Sequence, residues 1–85
     1  MTHTLLIEID DEILVALQKS PEEMTAEIRL AAAAKWYELG AISQEKAAQM
    51  AGLTRTAFIE ALRRFDVSPF QETADEILQA VRDLR

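Results

Sequence analysis

Hydrophobic and polar positions follow two different periods along this 85-residue chain. In the first segment, His3–Ile9, they alternate with a period of two, which predicts a β-strand. Beyond it, apolar residues recur every three or four positions, which predicts helices. The pattern therefore predicts a mainly α fold, in which one short N-terminal β-strand precedes a small helical bundle.

The predicted strand needs a partner for its backbone N–H and C=O groups. Within the chain, only Asp66–Phe70 offers a second and weaker extended segment. The same strand of a second copy, paired antiparallel about a two-fold axis, is the better solution. We therefore expect a homodimer that forms through the strand. Its predicted interface contains Leu5, Ile7 and Ile9 of the strand and Trp36 of the central helix.

Capping signals mark the central helix. Ser20-Pro21-Glu22-Glu23 combines an N-cap, a proline at the first helical position and a capping box. We expect the helix to run to Leu39 and to stop at Gly40. A shorter helix, opened by the acidic residues Asp10–Glu12, should precede it. The predicted buried stripe of the central helix consists of Met24, Ile28, Ala32, Trp36 and Leu39, and it is widened by Leu30, Ala34 and Tyr37.

The stretch Ser43–Phe65 predicts two helices joined by a tight turn. Ser43 and Thr54 are N-caps, and Gly52 can take the left-handed conformation that ends a helix. The apolar face of the second helix consists of Phe58, Ala61, Leu62 and Phe65. A helix-turn-helix of this kind offers the outer face of its second helix to a DNA major groove. An ordinary helical hairpin that serves only for packing would show the same pattern.

The C-terminal part is predicted to be an extended link and a final helix. Ser68 precedes Pro69 and is thereby pushed toward an extended conformation, and Thr73 with Glu76 forms a capping box. The final helix could fold back on the domain or dock in a groove of another protein. The candidate partner-binding residues are Phe70, Ile77, Leu78 and Val81.

We therefore divide the chain, within one compact domain, into three parts. Residues 1–42 serve as scaffold and for dimerisation, residues 43–65 form the helix-turn-helix, and residues 66–85 form the link and final helix. The net charge of −6 opposes binding to nucleic acid, whose phosphates attract cations. Residues 43–65 nevertheless carry +2, against −5 before them and −3 after them. A single copy should bind DNA weakly, so a dimer on a two-fold site is the expected functional unit.

Candidate chemistry is sparse. The chain has no cysteine and one histidine, His3, which lies near the N-terminus. The serines fit capping or turn roles, and both glycines fit helix ends. We therefore expect no enzymatic activity, no metal and no cofactor. Since no apolar run is long enough to cross a membrane, we expect a cytoplasmic protein with no membrane partner.

Three stretches resemble one known family. They are IDDEIL, ELGAISQEKAAQMAGLTRTAFIEALRRF and VSPFQETADEI. Together they resemble the small prokaryotic predicted antitoxins with a helix-turn-helix, a formally uncharacterised and VapB-like family. The resemblance covers most of the chain and is most specific from Leu39 to Phe58.

The resemblance implies a homodimeric antitoxin that neutralises a partner toxin, commonly a PIN-type ribonuclease, and binds its own operator DNA. Carried onto this sequence, DNA reading would fall to Thr54, Arg55, Thr56, Glu60 and Arg63, and phosphate contacts to Lys46 and Arg64. The alternative is a protein-interaction module in which the helix-turn-helix only packs. The acidic surface and the final helix would then bind a basic protein.

Overall fold

The computed structural model describes residues 1–71, and within them the chain folds into helices. The helices are α1 (Asp11–Leu17), α2 (Pro21–Glu38), α3 (Gln44–Ala51) and α4 (Arg55–Ala61), and a 3₁₀ turn, Leu62–Phe65, continues α4. The long α2 packs against α3 and against the 3₁₀ turn, while α3 packs against α4. The helix-turn-helix therefore rests on α2 as its support.

The predicted N-terminal strand is wrong, because no β-strand occurs in residues 1–71. The strand-mediated dimer predicted from it loses its basis. The physical reason is that the other extended candidate is engaged elsewhere: the Pro69 carbonyl accepts hydrogen bonds from Tyr37 and Gln44. Leu5 and Ile7 consequently stay 82% and 62% exposed in the chain.

The N-terminus of α2 is fixed by the predicted capping box. The Ser20 hydroxyl accepts from the Glu23 N–H, and the Glu23 carboxylate accepts from the Ser20 N–H, both at 3.2 Å. The backbone hydrogen bond from Ser20, followed by its side-chain hydrogen bond, lowers the pKa of the Glu23 carboxyl. At the other end, α2 stops at Glu38, one residue before the predicted Leu39, and Gly40 takes φ +75° as its predicted stop requires.

The buried face of α2 differs from the predicted stripe. Trp36 and Leu39 are exposed, whereas Met24 of the stripe and the predicted widening residues Leu30, Ala34 and Tyr37 are buried as expected. The buried residues of this helix are Met24, Leu30, Ala33, Ala34 and Tyr37. Apolar residues surround α2, so periodicity alone could not select the face. The face that packs is the one whose alanines permit close approach to the buried alanines of α3, Ala47, Ala48 and Ala51.

The large side chains of the core come from the end of the helix-turn-helix. Phe58 and Leu62 are fully buried and lie in one cluster with Leu30 and Tyr37 of α2. The link after the 3₁₀ turn contributes Val67, which is also buried. This cluster fixes α4 against α2 and leaves the opposite side of α4 facing outward.

Candidate nucleic-acid interface

The two helices of the motif are joined by a three-residue turn, Gly52-Leu53-Thr54. The Ser43 hydroxyl accepts from the Lys46 N–H, and the Thr54 hydroxyl accepts from the Ala57 N–H, both at 3.1 Å. Gly52 has φ +72°, the left-handed conformation that a glycine adopts without a Cβ penalty. The predicted caps and helix stop of this motif are therefore confirmed.

An arginine of α2 braces this turn. Arg29 donates from Nε to the Met50 carbonyl at 2.7 Å. That carbonyl is one of the last four of α3, which have no partner inside their own helix. The Arg29 guanidinium also lies 3.5 Å from the position that a Cβ on Gly52 would occupy. Sequence reasoning missed Arg29, because its partner lies 21 positions further along the chain.

The outward side of α4 brings three of the predicted DNA-reading residues together. Thr56 and Glu60 of α4 and Arg63 of the 3₁₀ turn that continues it are exposed, and Thr56 and Glu60 lie about 40° apart around the helix axis. Ile59 lies beside them and is half-buried. The surface therefore presents the hydroxyl of Thr56, the carboxylate of Glu60 and the guanidinium of Arg63. These groups can donate hydrogen bonds to base edges or accept them.

Arg55 stands at one margin of this surface and is held by a neighbour. Its Nε donates to Gln44 Oε1 at 2.6 Å. Gln44 in turn donates from Nε2 to the Tyr37 hydroxyl at 3.1 Å and to the Pro69 carbonyl at 3.0 Å. Sequence analysis did not single out Gln44, although its place directly after the Ser43 cap puts it beside the second helix.

Arg64 lies apart from the other predicted residues. Its Nη2 is 2.7 Å from the Glu27 carboxylate of α2, and its guanidinium carbon is 5.4 Å from the centre of the Phe65 ring. It belongs to the 3₁₀ turn, on the side of the domain that contacts α2. Of the remaining two residues, Lys46 is exposed near the start of α3, while the Thr54 hydroxyl is occupied by its cap.

A cleft of about 1020 Å³ opens between the start of α3, the α4 residues Arg55 and Ile59, and the link. Phe70, a predicted partner-binding residue, lines this cleft and is 88% exposed. The other predicted partner-binding residues, Ile77, Leu78 and Val81, lie outside the described residues. The link therefore runs past the same side of the domain as Arg55.

The residues predicted for the dimer interface have different surroundings. Leu5 and Ile7 are exposed and Ile9 is half-buried, all three ahead of α1. Trp36 is 45% exposed on α2. Within residues 1–71, no three acidic, histidine or cysteine side chains are grouped as a metal site would require. None of the helices described there combines the length and the apolar character that a membrane crossing needs.

These features define a small helical protein whose helix-turn-helix is buttressed by α2. The chain belongs to the uncharacterised protein family UPF0175, whose family model matches residues 1–85. The resemblance to a formally uncharacterised family is thereby confirmed. No curated protein matches the chain significantly, and no solved structure does so either.

Proposed function

We propose that this protein is a DNA-binding antitoxin that regulates its own transcription as a homodimer. The observation that carries the proposal is the outward surface of α4 and of the 3₁₀ turn that continues it, where Thr56, Glu60 and Arg63 are exposed. Because Phe58 and Leu62 bury the other side of this helical segment, that surface is held in one orientation. Recognition helices read the major groove with a surface of this kind.

Each exposed group has a base or a phosphate that suits it. Arg63 can donate to a guanine, and Glu60 can accept from the amino group of a cytosine. Lys46, near the start of α3, can meet a phosphate and fix the register on the duplex. The +2 charge of residues 43–65 supplies few phosphate contacts, so two copies on one operator are needed for useful affinity.

The toxin-neutralising part of the proposal rests on the family resemblance and on Phe70. An aromatic side chain that is 88% exposed is a suitable anchor for a partner protein. The partner that the resemblance implies is a toxin, commonly a PIN-type ribonuclease. We place the toxin contact at Phe70 of the link, which lines the cleft beside Arg55 and Ile59.

The second candidate function is a protein-interaction module that does not bind DNA. Two observations favour it: the net charge of −6, and the pairing of Arg64 with Glu27, which withdraws one cation from a phosphate role. In this reading, Glu60 and Ile59 belong to a protein interface. The two candidates differ in one measurable property, which is retention of DNA that decreases with salt.

The test is binding to the duplex immediately upstream of the chain's own coding sequence. Fluorescence anisotropy is measured at about 50 mM and about 200 mM salt, with unlabelled competitor DNA present. We expect saturable binding that survives the competitor and weakens steeply with salt. A folded protein that retains no duplex at the lower salt concentration would instead support the interaction module.

A further inference from the structure

Gln44 lies at the centre of a hydrogen-bond relay that begins in the core and ends at Arg55. Tyr37 is buried and packs against Phe58. Its hydroxyl accepts from Gln44 Nε2 and donates to the Pro69 carbonyl. Gln44 Nε2 also donates to that carbonyl at 3.0 Å. With its amide nitrogen fixed at two points, Gln44 presents Oε1 in one direction, toward Arg55.

The bond between Gln44 and Arg55 constrains a long exposed side chain. Arg55 donates from Nε at 2.6 Å. This bond uses one of the five N–H donors of the guanidinium and leaves the four on the terminal nitrogens for other partners. A free arginine on a surface loses rotamer freedom when it binds a partner, and this loss weakens the complex. A side chain that is already held before binding avoids most of that loss.

We propose that Gln44 is a positioning residue that presets Arg55 for contact with DNA. Gln44 acts through Arg55, and the relay through Tyr37 and Pro69 holds Gln44 itself. The inference rests on the proposed function, since it assigns the arginine a DNA contact. It adds a residue that the helix-turn-helix pattern does not mark, and it makes the affinity for DNA depend on a bond inside the protein.

The test is a double-mutant cycle on Gln44 and Arg55. The wild type, Gln44→Ala, Arg55→Ala and the double variant are titrated against the same upstream duplex by anisotropy. We expect Gln44→Ala to weaken binding by about threefold to tenfold, which is the effect of releasing one immobilised side chain. In the Arg55→Ala background, the same change should have no further effect.

Two additional measurements separate positioning from folding. Gln44→Met keeps the length of the side chain without its polar atoms, and it should reproduce the loss seen with Gln44→Ala. Proton exchange at Arg55 Nε–H, followed by NMR in the free protein, should accelerate in both Gln44 variants. A purely structural role would lower thermal stability without a selective change at this one group.

Three results would overturn the inference, and they are distinguishable. Unchanged DNA affinity in both Gln44 variants removes the positioning role and leaves the proposed function standing. An equal loss in the Arg55→Ala background shows that Gln44 acts on DNA directly or on the fold. A wild-type protein that binds no duplex defeats the proposed function itself, and the DNA role of Gln44 with it.

Discussion

The ring of Tyr37 meets the ring of Phe58 edge to face, with centroids 6.1 Å apart and planes inclined by 74°. This pair joins α2 to the second helix of the motif, and Phe58 is fully buried. We expect Phe58→Ala to lower the free energy of unfolding by about 3–5 kcal/mol, because it removes buried apolar area and leaves a cavity.

Urea denaturation followed by circular dichroism measures this loss. Tyr37→Phe is the matched control, since it keeps the ring pair and removes only the hydroxyl. It should cost about 2 kcal/mol, because the hydroxyl makes two hydrogen bonds, each typically worth about 1 kcal/mol. A Phe58→Ala loss no larger than that of the control would contradict the central place of Phe58 in the core.

Gly52 and Gly40 allow a controlled test of backbone strain. Their φ angles are +72° and +75°, so an alanine at either position should cost about 1–2 kcal/mol. The added methyl group meets nothing within 4 Å at Gly40 and only an ordinary contact with Arg29 at Gly52. Thermal unfolding of Gly40→Ala and Gly52→Ala should therefore show similar losses. A much larger loss at Gly52 would mean that the turn of the motif is less tolerant than its geometry indicates.

The capping box gives stability a dependence on pH. Hydrogen bonds from Ser20 lower the pKa of Glu23 below 4.5 in the folded protein, so folding favours the carboxylate. This stabilisation is complete above the ordinary pKa and is lost as the pH falls through the lowered one. In melting curves from about pH 6 to pH 3, Glu23→Gln should show a shallower decline than the wild type. Parallel declines would show that Glu23 does not contribute to the acid sensitivity.

Arg63 and Arg64 are adjacent in sequence and differ in their surroundings. Both lie in the 3₁₀ turn that continues α4, where Arg63 is exposed and Arg64 is paired with Glu27. We expect Arg63→Ala to weaken binding to the upstream duplex by about 1–3 kcal/mol and to relax base preference at one position. Arg64→Ala removes the same charge and should weaken binding less. Its exposed ion pair should contribute no more than about 1 kcal/mol to stability. Equal losses of DNA affinity in the two variants would indicate that affinity depends on the total positive charge and not on the position of the arginine.

Local chemistry made much of this fold predictable. The caps at Ser20, Ser43 and Thr54 and the stops at Gly40 and Gly52 depend on neighbours within a few positions, and all five occur as expected. The N-terminal strand was wrong because a strand is stable only with a partner, which alternation along the chain does not supply.

The interface was predictable only in part. The outward position of Arg63 follows from helical spacing once Phe58 and Leu62 are assigned to the core. Helical spacing does not predict the hydrogen-bond partners of Arg29, Gln44 and Arg64. Each of these partners lies 7–37 positions away in the sequence, outside the helix of the residue that it contacts. The exposure of Trp36 and Leu39 was also not predicted. Apolar residues surround α2, and only packing against α3 determines which of them are buried.

We expect the alanine-rich contact between α2 and α3 to shorten the lifetime of the protein in a cell. Five of the buried residues in the described part of the chain are alanines, and each removes little apolar area from water. We expect a domain held in this way to open more readily than one with a core of larger side chains, and proteases degrade a protein in proportion to the time that it spends open. Any molecule that binds only the folded form lengthens that lifetime by mass action. The cellular concentration of this protein would therefore rise with the fraction of it that is bound to a partner.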